Sequence, residues 1–205
     1  MIQIINTGVA NIRSLQAAFD RLGESWQLTE NPNDIASASH VVLPGVGAFA
    51  AAVESIDRLK VRETIVNRIN NPDSPTLCIC LGMQLLSESS EEASQSIKGL
   101  GIIPHQIKRF GDDVKVPQLG WNAVMPQTDG PYESGEAYFA NSFRLKDAPD
   151  GWGFAQTEYG DPFVSSIWRG RTLACQFHPE LSGQWGQQVL QNWISGKAIK
   201  RGGSA

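Results

Sequence analysis

The chain has 205 residues, enough for one compact domain with a sizeable core. Hydrophobic residues make up 41% and charged residues 19%, a globular balance that excludes intrinsic disorder. The 17 Lys and Arg against 21 Asp and Glu give a formal charge of -4. No dense basic run is present, which disfavours nucleic acid as the main ligand, because phosphate neutralisation needs clustered cations.

The apolar stretch from Val41 to Val53 is broken by Pro44, Gly45 and Gly47, too short for a membrane span. The opening residues lack the cationic start, apolar run and cleavage site of a secretory signal, which gives a cytoplasmic expectation. Three cysteines cannot all pair within one chain, so their chemistry, if any, is expected to be that of thiols.

Taken in chain order, Ile2–Ile5 reads as a short strand and residues 7–11 as a loop. Ile12, Leu15, Phe19 and Leu22 fall at helical spacing, with Asn11 as N-cap and Gly23 just past the end. Strands are expected at Trp26–Leu28 and His40–Leu43, the second ending in Pro44-Gly45-Val46-Gly47. Helical pattern returns from Ala48, with Val61, Ile65 and Ile69 on one face. After a polar connector over 70–75, Thr76–Cys80 reads as a strand and Gly82 onward as helix. The alternation predicts an α/β fold of three layers, with a mostly parallel central sheet covered on both faces.

The second half is β-rich. Strands are expected at 102–110, 121–125, 137–143, 153–159, 162–168 and 172–177, separated by turn residues such as Asp150-Gly151 and Gly160-Asp161. A final helix carries Trp185, Val189, Trp193 and Ile194 on one face, and residues from about 196 read as a tail. One domain over 1–205 is the expectation.

Chemistry concentrates in Cys78-Ile79-Cys80-Leu81-Gly82-Met83-Gln84. A strand meets a helix there, with Cys80 at the corner. A sharp strand-turn-helix lifts its central side chain above the sheet, and small neighbours relieve the crowding. The helix N-terminus favours a thiolate, the nucleophile of acyl transfer. Cys78, inside the strand, reads as core.

A thiolate needs a base. Of three histidines, His178 stands at the end of the last strand, on the sheet edge expected for Cys80. Pro179 stops that strand, and Glu180 can turn back to accept from the imidazole. His40 and His105 read as structural. A zinc set of Cys78, Cys80, Cys175 and His178 is disfavoured, because odd separations along a strand face opposite ways. For an oxyanion, the Leu81 N–H is one candidate donor and the turn Gly45-Val46-Gly47 supplies a second.

These residues resemble a family. Cys80-Leu81-Gly82-Met83-Gln84 with His178-Pro179-Glu180 is similar to the triad class of glutamine amidotransferases, whose fold is flavodoxin-like. Leu43–Gly47, Pro117–Asn122, Tyr138-Phe139 with Ser142, Tyr159-Gly160 and the opening residues 7–11 resemble the glutaminase subunits of imidazole glycerol phosphate synthases.

The resemblance implies that Cys80 attacks the glutamine side-chain amide, His178 shuttles the proton and Glu180 orients His178. It implies an oxyanion site at Val46, Gly47 and Leu81, and glutamine contacts at Gly45, Gln84, Ser142 and Phe143. It further implies a cyclase partner with a (β/α)8 barrel that receives the ammonia, low glutaminase activity without that partner, and no metal or organic cofactor. Asn11, Gln118, Trp121, Asn122 and Leu181 would meet the partner.

Four positions depart from the family's pattern. Cys78 stands where Gly is usual and is expected to crowd the corner. Gln118 and Asn141 stand where His is frequent, and Leu181 where a basic residue is frequent. The departures at Gln118 and Leu181 leave a second reading, a glutaminase serving another synthase such as a surface-sugar amidation pathway.

Overall fold

The computed structural model describes residues 1–8, 12–94 and 96–198. Asn11, expected as an N-cap and as a partner contact, and the tail from residue 199 lie outside the described residues.

Twelve strands and six α-helices are described: β1 Ile2–Ile5, α1 Ile12–Arg21, β2 Trp26–Thr29, α2 Pro32–Ser37, β3 His40–Leu43, α3 Phe49–Arg58, α4 Arg62–Asn70, β4 Thr76–Ile79 and α5 Leu81–Gln84 in the first half. The second half holds β5 Ser87–Ser90, β6 Ile103–Arg109, β7 Gln118–Pro126, β8 Gly135–Asn141, β9 Phe143–Arg144, β10 Gly153–Tyr159, β11 Asp161–Arg169, β12 Thr172–Cys175 and α6 Gly183–Ser195.

The main sheet has nine strands in the order β2-β1-β3-β4-β12-β11-β10-β7-β8. From β2 to β12 every neighbouring pair is parallel. Beyond β12 the pairs are antiparallel, so only β11 and β7 run against the common direction. A small sheet, β5-β6-β9, stands beside it.

Alternation along the parallel strands divides the core in two. Val41, Leu43, Cys78 and Ala174 pack with α3, α4 and the small sheet; Val42, Leu77, Ile79, Leu173 and Cys175 pack with α1 and α6. These two cores with the sheet between them make the three expected layers. Among the described residues no helix is long and apolar enough to cross a membrane.

The expected helix from Ala48 is two helices. Lys60 takes a left-handed φ of 58° and ends the first, and Val61, Ile65 and Ile69 are the buried face of the second alone. The helix expected from Gly82 is a single turn, after which the chain enters β5. Ser-Glu-Ser-Ser carries no apolar alternation, so that strand was not foreseen; parallel pairing to β6 holds it. Helix α2 was also missed. Its signal was Asn31, whose side chain accepts the Asn33 N–H ahead of Pro32 at the first helical position. The strand expected over 137–143 breaks at Ser142, where the chain passes from the main sheet to the small one.

Arg68 ties this face together from within. Buried on α4, it donates to the carbonyls of Ile35, Ala36, Ala38 and Pro75, joining α2 to the entry of β4.

Candidate active site

Parallel β4 and β12 bring Cys80 and His178 to the same sheet edge, beyond the carboxyl ends of their strands. Cys80 has φ 53° and ψ -109° at the junction of β4 and α5. Its N–H donates to Cys175 O (2.7 Å), and its carbonyl accepts from Met83 and Gln84. This left-handed corner turns Cys80 toward the α1/α6 core while Cys78 packs on the other side.

The corner needs its glycine. A Cβ on Gly82 would stand 2.1 Å from Leu43 O, so only Gly lets α5 start against the end of β3. Cys78 is fully buried, and desolvation pushes its thiol up to about 12, as expected of a core cysteine.

His178 and Glu180 are both buried, with Nδ1 and Oε1 2.8 Å apart. Burial alone would lower the imidazole. Hydrogen bonding to Cys80 and Glu180, together with the charge of both, overcomes this and raises it to about 10. An imidazole beside the sulfur, held by a buried carboxylate, is an arrangement that can carry a proton to and from a reacting group. Glu180 Oε2 is buried without a partner among the described residues, which leaves the carboxylate oriented by His178 alone. The His178 N–H donates to Tyr138 O and the Ser182 hydroxyl to His178 O, fixing this loop against β8.

Cys80 and His178 open into a cavity of about 240 Å³. Val46, Gly47, Leu81, Gln84, Ser142 and Phe143, all foreseen, line it. Ala140, Asn141 and Glu92 line it too and were not foreseen there. Glu92 lies far from every motif in sequence, and its one visible sign is structural: Oε2 accepts the Phe49 N–H at 2.8 Å, pinning the start of α3 behind the glycine-rich turn.

The foreseen oxyanion donors are not all free. The Leu81 N–H donates to Gly45 O at 3.3 Å. The carbonyl of Gly45 thus occupies the first of the two expected donors. Gly47, with φ 94°, carries the turn out of that contact. Gln84 Nε2 donates to Phe143 O (3.0 Å) and Gln176 Oε1 (2.9 Å), so only its Oε1 remains for a ligand. Ser142 O accepts from Phe110 N–H, so the carbonyls of Ser142 and Phe143 are both committed.

The residues expected at a partner surface divide. Trp121 is 57% exposed, next to exposed Leu119 and near Gly183, and Leu181 is exposed as well. Gln118, expected at the partner surface, is buried: register places it opposite Asn141 on the inner face of β7, away from exposed Leu119 and Trp121. Its amide and Asn141 Oδ1 lack partners among the described residues. Asn122 shares that inner face and donates to Glu158 O on β10.

His40 is structural, stacking edge-on to Trp193 with Nε2 against Ile194 O, and burial lowers its pKa. Among the described residues no cluster of three or more His, Cys, Asp or Glu is placed to hold a metal.

A buried Cys–His–Glu series on a strand-turn-helix corner defines a class of enzyme. The model of the class I glutamine amidotransferases matches residues 3–195, and the chain belongs to that family. Among its relatives, the HisH subunit of imidazole glycerol phosphate synthase from Dehalococcoides mccartyi is 38% identical over 95% of this chain and 96% of its own length. HisH from Moorella thermoacetica is 38% identical over 100% of this chain and 98% of its own length.

The chloroplastic imidazole glycerol phosphate synthase hisHF of Arabidopsis thaliana is 38% identical over 96% of this chain, which spans 34% of that longer protein. Within the class, the chain is therefore of the HisH type, the glutaminase subunit of imidazole glycerol phosphate synthase in histidine biosynthesis. Of solved structures, a glutamine amidotransferase superimposes with a TM-score of 0.76 at 16% identity, covering 96% of this chain and 99% of its own. PurLQS from Thermotoga maritima reaches 0.72 at 15% identity, over 95% and 97%. Both show the fold.

Proposed function

We propose that the 205 residues act as one glutamine amidotransferase domain, in the cytoplasm, with Cys80, His178 and Glu180 as its triad. The observation that carries this reading is the buried Cys80–His178–Glu180 series at the cavity mouth. Sγ attacks the side-chain amide carbon of glutamine. His178 passes its proton to the departing nitrogen, the C–N bond breaks, and ammonia leaves a glutamyl thioester. Water, deprotonated by His178, then releases glutamate and restores Cys80. Glu180 holds the imidazole by Nδ1 throughout. Glu92 and Gln84 Oε1, both acceptors in the cavity, suit the α-ammonium of the substrate.

The oxyanion site opens through one peptide group. Gly45 C=O and Val46 N–H belong to the same peptide, so a single flip lifts the carbonyl from Leu81 N–H and aims Val46 N–H into the cavity. Two donors arrive at once, and each is typically worth about a hundredfold to a thousandfold in turnover. An open turn in the free chain, with Val46 N–H already facing substrate, would remove the gate.

The exposed Leu119, Trp121 and Leu181 surface is proposed as the seat of a cyclase subunit in a heterodimer, a (β/α)8 barrel that receives ammonia to form imidazole glycerol phosphate and aminoimidazole carboxamide ribotide. The names of the relatives support that acceptor over a surface-sugar synthase. The test is glutamate release from glutamine, with and without the cyclase and its ligand, beside a Cys80→Ala control. Strong stimulation absent from the control is expected. Activity indifferent to the cyclase would retain the thiol chemistry and remove the partner.

A further inference from the structure

Gln176 was singled out by no motif, yet it touches the nucleophile. It is fully buried just beyond β12, two residues before His178. Its backbone N–H donates to Ser165 O (2.8 Å). Its side-chain Oε1 accepts from Gln84 Nε2 (2.9 Å), and its Nε2 lies 3.6 Å from Cys80 Sγ.

The direction of this chain is set from its far end. Phe143 O is a backbone carbonyl and can only accept, so Gln84 must present its NH2 group there. The same NH2 group gives its other hydrogen to Gln176, whose oxygen must then face Gln84. The Gln176 NH2 is left facing the sulfur. Among the described residues, Sγ is the one acceptor its Nε2 meets. Burying an amide is costly unless each end finds a partner, and here the partner of one end is the reacting atom.

We infer that Gln176 is a further catalytic residue, whose amide N–H holds the Cys80 sulfur in its attacking position and stabilises its anionic form, with Gln84 locking that amide against rotation. This rests on the glutaminase reading only for its consequence in turnover; the effect on the sulfur is separately measurable. In this arrangement the sulfur has two donors facing it, the imidazole of His178 and a neutral amide, beside the acceptor Ala140 O at 3.9 Å, and only the imidazole moves a proton.

The experiment compares Gln176→Met and Gln176→Glu with the parent chain. Met keeps the length and volume without an N–H. Glu keeps the acceptor for Gln84 and, once ionised, replaces the donor by a negative charge. Iodoacetamide alkylation of Cys80, followed by mass spectrometry across pH 6 to 9, needs neither substrate nor partner. Cys78 and Cys175 are fully buried and do not compete.

A hydrogen bond to a charged acceptor corresponds to roughly a 10- to 100-fold effect. Alkylation near pH 7 is expected to slow by at least about tenfold in both variants, with kcat for glutamine falling in step and KM little changed. Alkylation within twofold of the parent in the folded Met variant would overturn the inference. Should Met fail to fold, Gln176→Leu, equally without an N–H, decides in its place. A parent chain that alkylates as described but never hydrolyses glutamine would defeat the glutaminase reading and leave the Gln176 contact standing.

Discussion

Replacing Gly82 by alanine tests whether the corner at Cys80 depends on a backbone approach that only glycine permits. The new Cβ would lie 2.1 Å from Leu43 O and 3.1 Å from the Leu43 carbonyl carbon, where real Cβ contacts essentially never fall under 3.0 Å. The difference, 3.0 minus 2.1, is 0.9 Å that β3 or α5 must yield. Gly82 is followed at once by the turn that carries Gln84, and preceded at two residues by Cys80, so the yield falls on the nucleophile.

A misplacement of about 1 Å typically costs about a hundredfold in rate, or about 2.7 kcal/mol of barrier. Glutamate release by the partner-bound enzyme is therefore expected to fall about a hundredfold in Gly82→Ala. Gly99→Ala is the matched control: its Cβ would also meet a carbonyl, Ser87 O, at 2.1 Å, but away from the sulfur. It should lower Tm comparably and spare turnover of the folded enzyme. Equal losses of turnover in the two variants at matched Tm, or a Gly82→Ala enzyme within threefold of the parent, would refute the geometric argument.

Glu180→Gln keeps the shape beside His178 and removes the charge; turnover should drop by about three to four orders of magnitude, read as kcat at saturating glutamine. The raised His178 also makes a pH prediction. Its contribution to stability is fully present below about pH 6.5 and is lost as pH climbs through about 10, so Tm should decline over that window in the parent and more weakly in His178→Asn. Trp121→Ala removes the aromatic anchor of the exposed face; Tm should hold, while the Kd for the cyclase rises at least about thirtyfold, about 2 kcal/mol, by titration of stimulated glutaminase activity.

That Cys80, His178 and Glu180 come together was legible from local signals: a cysteine followed at two residues by glycine, and a histidine between a strand and Pro-Glu. The strands of the second half were legible from alternation bounded by turns, and β10 was placed residue for residue. What escaped has physical reasons. The edge strand β5 is polar and is a strand only through its neighbour. The break at Lys60 needs a left-handed residue that is not glycine, which no pattern announces.

Gln176 escaped because a single buried polar residue has no periodicity, and Glu92 because an exposed carboxylate carries no pattern of its own; only the partners each meets in space reveal it. Gln118 was expected at the partner surface by likeness to the family, whereas the alternation of β7, with Leu119 and Trp121 outside, puts it within. Cys78 was expected to crowd the corner. The left-handed φ of Cys80 goes with side chains packed into different cores, so the strained backbone is that of Cys80 itself and the close approach to Leu43 O falls at Gly82.

The bond from Leu81 N–H to Gly45 O also sets a scale for idleness. A neutral hydrogen bond contributes about 1 kcal/mol net, a population ratio of about five to one. A latch of that strength admits a leak: the free subunit would spend a sizeable fraction of its time open and waste glutamine at a rate only several-fold below its best. If the unpartnered chain proves quieter than that by further orders of magnitude, the silence has to come from the stiffness of the whole Gly45–Gly47 turn against its neighbours rather than from the single bond that marks it.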